Sequence, residues 1–351
     1  MKIGILTFHW GTNYGGVLQS YALQCYLKSI GCDVEIINYA PLTYRNSFFL
    51  CFKGKSIGTI KKNILNYFKE RKFRKFRKSN LILSKKRYFT KTSSEAFNND
   101  YDVIVVGSDQ VWNPYIALNY GLPYWLPYKG KARKIAYAVS LGCDVYPQEI
   151  LEKQTACIND FYAISVREKS AVNIIQSVYN KGMVELMPDP TILVESSVYR
   201  KFVHANQVKK SCFIYALQEH QKIINSIEQQ ILKNGYSIFK STNYIGEFSI
   251  EEWLSALYNS ELVVTNSFHG LMFSLIFHKS FYVVPVEGAL VGMNDRIYTI
   301  LEYLGLKDRI IYKIEDLKNK NLVPINWHVI EQKMDALRSQ GRKFLLTHIG
   351  K

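Results

Sequence analysis

The sequence predicts an α/β fold of two Rossmann-like halves, and three observations carry that prediction. Short apolar, β-branched runs recur along the chain, each ending in a polar or glycine-bearing turn that opens an amphipathic stretch. That is the pattern of buried parallel strands alternating with helices. The length of 351 residues exceeds one typical core and suits two domains. Midway, Met187-Pro188-Asp189-Pro190-Thr191 interrupts the pattern, because two prolines around an aspartate stop a strand or helix from running through. The expected halves are 1–190 and 191–351.

In the first half, Lys2 to Phe8 reads as a strand, Val17 to Ile30 as a helix stopped by Gly31, and Asp33 to Tyr39 as a second strand. The loop between them, Trp10-Gly11-Thr12-Asn13-Tyr14-Gly15-Gly16, has neither G-x-G-x-x-G nor the P-loop pattern. It is either a tight turn or a loop that brings Asn13, Gly15 and backbone N–H groups to a polar ligand. Tyr101 to Val106 reads as a buried strand ending in Gly107-Ser108-Asp109, and Lys134 to Val139 as a strand followed by Ser140-Leu141-Gly142. Gln148 to Asn159 is a helix, and Phe161 to Val166 a strand ending in Arg167-Glu168. Ligands of open α/β sheets bind beyond the carboxyl ends of the strands, so Ser108, Asp109 and Arg167 are candidate site residues. Asp109 would take a proton from a substrate hydroxyl or, more simply, cap the next helix. Arg167 would hold a carboxylate or phosphate, or else pair with Glu168 or a neighbouring helix.

The second half reads as a strand at Ser211 to Leu217, a helix at Glu219 to Lys233, a strand at Tyr236 to Lys240 and a helix at Ile250 to Asn259. Leu262 to Thr265 is a strand whose turn, Asn266-Ser267-Phe268-His269-Gly270, opens an apolar helix. A helix N-terminus offers unpaired N–H groups and a positive dipole end to an anion. Ser267 and His269 would face that anion, and Gly270 would permit close backbone approach. The plainer alternative makes Ser267 an N-cap and His269 a satisfied polar residue. Phe281 to Val286 is a further strand, Asp295 to Leu304 a helix with Arg296 on its first turn, and about 327–346 a terminal helix. Two such halves hinged in the middle are expected to face a central ligand cleft.

Six cysteines are scattered without a C-x-x-C pair or zinc-like histidine spacing, so a reduced setting and no metal are expected. The opening Met1 to Leu6 turns polar by His9, too soon for a signal peptide, and no apolar run spans a bilayer. A cytoplasmic chain is expected. Its net charge of +16 is local: between Lys53 and Lys91 lie fifteen Lys or Arg and one acid, Glu70. Within this insert, about 43–92, Ile57, Ile60, Ile64 and Phe68 recur at helical spacing among cations. Such a helix suits an anionic membrane surface. Basic residues with aromatics also suit single-stranded nucleic acid, and the plain alternative packs the apolar side on the domain. Membrane contact through residues 53–91 is favoured, and no nucleic-acid partner is expected.

Gly107-Ser108-Asp109-Gln110-Val111-Trp112, Ser165-Val166-Arg167-Glu168, Pro188-Asp189-Pro190-Thr191 and Ser267-Phe268-His269-Gly270, in this order, resemble the polysaccharide pyruvyl transferase family. The Asn13-Tyr14-Gly15-Gly16 loop agrees, so the resemblance runs from residue 1 to about residue 300 and leaves out the basic insert. It implies a glycosyltransferase-B-like fold and transfer of pyruvate from phosphoenolpyruvate onto two hydroxyls of a sugar, making a cyclic ketal and releasing phosphate. It also implies an acceptor such as galactose or another hexose in a lipid-linked surface or capsular polysaccharide repeat, and no cofactor beyond the donor. The first half would then be the acceptor side and the second the phosphoenolpyruvate side, beside the inner face of the cytoplasmic membrane. Family members commonly carry Arg-Leu-His where this chain has Ser267-Phe268-His269, so the histidine role carries to His269 and the arginine role does not carry to Ser267. Arg167 matches the family's other substrate-binding arginine, and Arg296 is the suggested source of the missing charge. His269 is expected to be the general acid and Asp109 the general base. The alternatives are a nucleotide-sugar glycosyltransferase of similar fold and a non-catalytic nucleic-acid-binding protein, whose binding would weaken steeply with salt.

Overall fold

Strands made almost wholly of apolar, β-branched residues need cover on both faces, and the structure gives them that cover in two parallel sheets. The computed structural model describes residues 1–41, 57–89, 99–116, 122–206, 208–217, 222–242, 248–319 and 324–350. The chain divides into a first unit of Met1–Ser56, Arg74–Val194 and Ala336–Lys351 and a second of Ile57–Phe73 and Glu195–Asp335.

The first unit carries β1 (Lys2–Leu6), β2 (Asp33–Tyr39), β3 (Leu83–Tyr88), β4 (Val103–Val106), β5 (Arg133–Val139), β6 (Ala163–Val166) and β7 (Glu185–Leu186). They lie in the order β3-β2-β1-β4-β5-β6-β7, every neighbouring pair parallel. Its helices include α1 (Tyr14–Ser29), the C-terminal end of α2 (Ile57–Asn80), α3 (Gln148–Ile158) and α4 (Lys169–Gln176). The chain builds outward from β1 to β3 on one side and resumes at β4 on the other. That reversal makes the β1–β4 crevice the switch point of the sheet, where open α/β folds place ligands. Behind it the core is aromatic: Trp112 stacks on Trp125 at 4.4 Å, with Phe161 edge-on.

The second unit carries β8 (Ser211–Ala216), β9 (Ser237–Thr242), β10 (Leu262–Thr265) and β11 (Ser280–Val283), ordered β11-β10-β8-β9 and all parallel. Around them lie α5 (Lys222–Lys233), α6 (Ile250–Asn259), α7 (Phe268–Ile276), α8 (Asp295–Leu304) and the start of α9 (Trp327–Ile349). Here the switch point falls between β8 and β10. Ser249 and Glu252 close a capping box on α6, which fixes its start at the residue where the apolar period begins.

Three expectations change. The basic segment is not set apart from the sheet: it supplies β3, an edge strand whose Leu83 and Tyr88 pair with Ile36 and Tyr39 of β2. Phe73, Phe76, Leu81 and Tyr88 are buried core residues, while Lys85, Lys86 and Arg87 stand exposed on the strand, where cations deter pairing with another chain. Residues 43–56 and 90–92 of that segment, and the expected start of α5 at Glu219, lie outside the described residues. The first unit also runs on to Val194 rather than ending at 190, because Asp189 caps a 3₁₀ turn at Pro190–Ile192 that packs against α1. Finally, α9 is not wholly a second-unit helix. From Ala336 it belongs to the first unit, where Arg338 and Arg342 donate to the carbonyls of Ile192 and Leu193 at 2.8 and 2.9 Å. No described helix is long and apolar enough to cross a membrane.

Candidate active site

Loops leave the carboxyl edge of the first sheet around its switch point and bring polar side chains together there. After β1, Asn13 caps α1, its side chain accepting from the Gly16 N–H at 3.1 Å, and Gly15 is buried in the first turn. A side chain at Gly16 would be crowded: a Cβ would stand 3.0 Å from Asp109 Oδ2 and 3.2 Å from the Phe8 carbonyl. Asp109, shortly after β4, therefore presents Oδ2 to the N-terminus of α1, where the dipole favours negative charge. Its backbone is left-handed, with φ 68°. Its Oδ1 accepts from the Gln110 N–H at 2.8 Å and from Arg167 Nη2 at 3.3 Å. Turns rather than a helix follow it directly, so Asp109 does not take the capping role.

Arg167, directly beyond β6, is a buried cation with its side chain only 1% exposed. Its Nη1 donates to Asp189 Oδ2 at 2.7 Å and to Ser108 Oγ at 3.4 Å. Burial works against its charge, but the carboxylates of Asp189, Asp109 and Glu168 outweigh burial and raise its pKa above the ordinary value. Glu168 Oε1 meanwhile accepts from Ser140 Oγ at 2.9 Å, the Leu141 N–H at 2.6 Å and the Gly142 N–H at 3.2 Å. One carboxylate thereby shapes the whole loop after β5. The first unit thus joins Ser108, Asp109 and Arg167 in one hydrogen-bonded cluster, with the Asn13–Gly16 turn beside it.

In the second unit, too, side-chain hydrogen bonds tie a strand end to a helix start. Thr265 Oγ1 donates to the Tyr215 carbonyl at 2.7 Å and accepts from the Ser267 N–H at 3.0 Å, which ties the end of β10 to β8. Ser267 caps α7 and accepts from the Gly270 N–H at 3.4 Å. A Cβ at Gly270 would stand 2.3 Å from Thr265 Oγ1, so the glycine is what lets α7 begin this close to its strand. No acid lies in the first turn of α7, and His269 is buried there against the Phe268 ring, centroids 5.2 Å apart. Asn294 exchanges two 2.9 Å bonds with the Val286 backbone and so fixes where α8 starts. That start sets the Arg296 guanidinium 5.5 Å over the Phe268 ring, within cation–π range. Ser267, Phe268, His269, Gly270 and Arg296 are therefore neighbours around one helix start.

Three groups escape a reading of the sequence. Asp189, fully buried, holds Arg167 with Oδ2 while Oδ1 accepts from Thr191 N–H and Oγ1 at 3.0 and 2.8 Å. In the sequence the prolines around it mark it as part of a junction and of a family motif, and nothing there pairs it with Arg167. His9 follows β1, with Nδ1 3.2 Å from the Thr7 carbonyl. Burial lowers its pKa to about 4, with Arg77 adding to the effect and the Thr7 and Asn38 hydrogen bonds opposing it. Arg77, hidden in the cationic run of α2, donates to the Gly11 carbonyl at 3.1 Å and so braces the β1–α1 loop. Among the described residues no three His, Cys, Asp or Glu side chains converge as a metal site would.

A family model described as polysaccharide pyruvyl transferase matches residues 13–288, a span that contains both helix starts and the whole Arg167 cluster. The chain belongs to the polysaccharide pyruvyl transferase family. No curated protein matches the sequence of this pyruvyl transferase family member. Among solved structures, the UDP-GlcNAc 2-epimerase of Methanocaldococcus jannaschii in complex with UDP-GlcNAc and UDP is 12% identical, covers 97% of this chain and 100% of its own, and gives a TM-score of 0.46. S. aureus MnaA with UDP is 9% identical over 97% and 90% of the two chains, at 0.49. E. coli heptosyltransferase WaaC with ADP is 12% identical over 96% and 100%, at 0.40. The α/β fold of this family member stands on its two parallel strand orders.

Proposed function

We propose that this protein transfers pyruvate from phosphoenolpyruvate onto two hydroxyls of one sugar, forming a cyclic ketal and releasing phosphate. The observation that carries the reading is the start of α7, where His269 and the Arg296 guanidinium flank Phe268 and no acid lies in the first turn. Phosphoenolpyruvate bears a phosphate and a carboxylate, which call for cations and free helix N–H groups. Arg296 supplies the guanidinium that many family members carry at the position of Ser267. At the first-unit edge Asp109 and Asp189 offset Arg167, which suits a neutral sugar hydroxyl better than an anion. The second unit is accordingly the donor side and the first the acceptor side.

In the reaction, one hydroxyl adds to C2 of the enol while a proton reaches C3, turning the methylene into a methyl group. The second hydroxyl then displaces phosphate at C2, its proton leaving with the phosphate, and closes the ketal. His269 gives the proton to C3, and Asp109 takes the proton from the attacking hydroxyl. The proton held by Asp109 is returned to His269 through solvent. Arg167 keeps Asp109 in place. Phosphoenolpyruvate is the donor and no further cofactor is needed. The acceptor is a hexose, galactose among the first to test, in a lipid-linked surface or capsular polysaccharide repeat, and the protein works at the inner face of the cytoplasmic membrane. Titration of phosphoenolpyruvate by calorimetry tests the donor side. The wild type is expected to bind, and Arg296→Ala to weaken binding about tenfold or more, since each charged hydrogen bond is worth roughly 1.5–3 kcal/mol. Unchanged affinity in Arg296→Ala would remove Arg296 from the site.

A further inference from the structure

The pyruvyl transfer above leaves one feature of the chain unused, the exposed face of α2. At about 3.6 residues per turn, Ile64, Leu65, Tyr67, Phe68, Arg71, Arg74, Lys75 and Lys78 fall on one arc, and all of them are exposed. Tyr67 and Phe68 are 55% and 54% exposed, Ile64 and Leu65 40% and 36%. The opposite arc, Lys69, Glu70, Phe73, Phe76 and Arg77, is buried. Glu70, the acid of this helix, thus lies on the inner side, and the neighbouring Lys72 is drawn to Glu252 at 2.9 Å. What remains outside is four apolar side chains followed over the next turns by four cations, with no acid among them.

A solvated helix face ordinarily mixes acids with bases and keeps large apolar groups few. This face does neither. We propose that it is a docking surface for an anionic lipid bilayer, with Ile64, Leu65, Tyr67 and Phe68 entering the headgroup boundary and Arg71, Arg74, Lys75 and Lys78 meeting lipid phosphates. Apolar side chains of an interfacial helix sit at that boundary while its cations face anionic headgroups. Two features set a bilayer above nucleic acid. Ile64 and Leu65 offer no ring on which a base could stack, and the apolar and basic residues are segregated along the helix instead of alternating. A second copy of this chain is disfavoured because a self-contact would set like charges against each other. The inference deepens the reading of a lipid-linked acceptor and rests on that reading for its purpose.

The test is co-sedimentation of the full chain with vesicles of phosphatidylcholine alone or mixed with phosphatidylglycerol, with neither phosphoenolpyruvate nor acceptor present. Its failure is therefore distinct from failure of the catalytic proposal, which is read on detergent-solubilised acceptor. The expected result is binding to the mixed vesicles, weakened by salt, and none to phosphatidylcholine. Arg71→Glu with Lys75→Glu should lower that binding about tenfold or more, and Tyr67→Ser with Phe68→Ser should lower it at an unchanged thermal midpoint, since both rings are exposed. Binding indifferent to lipid charge, or unaffected by the Tyr67/Phe68 replacement, would overturn the proposal. So would capture of a single-stranded oligonucleotide without any binding to mixed vesicles.

Discussion

Arg167 stays charged in a buried setting because Asp189, Asp109 and Glu168 surround it, so each of its partners carries a different share of the consequences. Asp189 is fully buried with both oxygens held, and Asp189→Ala leaves a buried guanidinium short of its nearest counter-charge at 2.7 Å. Urea unfolding should register a loss of about 3–5 kcal/mol, the usual cost of breaking a buried pair. Asp109 is the partner with an oxygen to spare, so Asp109→Asn should cost less stability while lowering turnover about 10²-fold or more. Equal stability losses for the two variants would refute this division of labour. His9 gives a residue-scale prediction in pH. Its folded pKa, about 4, lies below the ordinary histidine value of 6.5, so between those values the unfolded chain binds the proton and the folded chain does not. Stability is complete above about pH 6.5 and falls toward pH 4, by up to roughly 3 kcal/mol. His9→Gln should flatten that slope in melts across the window, with Arg77 and Asn38 the groups facing the ring. Ser108, Asp109 and Arg167 were legible in the sequence because each closely follows an apolar strand. The pairing of Asp189 with Arg167 was not, since the flanking prolines mark only a junction, and Arg77 was masked by the cations around it.

At the scale of elements, α7 depends on an absence of atoms. A methyl group at residue 270 would meet Thr265 Oγ1 at 2.3 Å, an atom already held by the Tyr215 carbonyl. Gly270→Ala should therefore destabilise by about 1–3 kcal/mol, and Thr265→Ala in the same chain should recover part of that loss in a double-mutant cycle. Strict additivity would show that the close approach does not matter. The elements most readable in the sequence were those with strong local signals: α6 and α8 begin and end where their apolar period does. β3 was unreadable for a physical reason. Its exposed middle is Lys85-Lys86-Arg87, a charge run typical of a solvated face, and only pairing with β2 makes it a strand. The same ambiguity split α2: its inner arc packs as core, which favoured simple packing on the domain, while its outer arc kept the amphipathic character read from Ile64 and Phe68.

Across the whole molecule, charge sorts the parts. The excess of +16 is carried mostly by the segment containing α2 and β3, the first-unit edge balances Arg167 with carboxylates, and the second-unit edge offers His269 and Arg296 beside an acid-free helix start. The two-unit plan was legible because parallel strands buried on both faces lack polar alternation and stand out. The unit boundary was less so, because the return of α9 to the first unit leaves no mark at Ala336. The proposed activity is the making of a pyruvyl ketal from phosphoenolpyruvate and a sugar. The most direct measurement is phosphate release from phosphoenolpyruvate, with and without a lipid-linked galactose-containing acceptor, with product mass read in parallel and His269→Ala as the control. The expected result is acceptor-dependent release, a product heavier by one pyruvate less one water, and turnover lowered about 10²-fold or more in the variant. Phosphate release that leaves the acceptor mass unchanged, or near-normal turnover in His269→Ala, would contradict it.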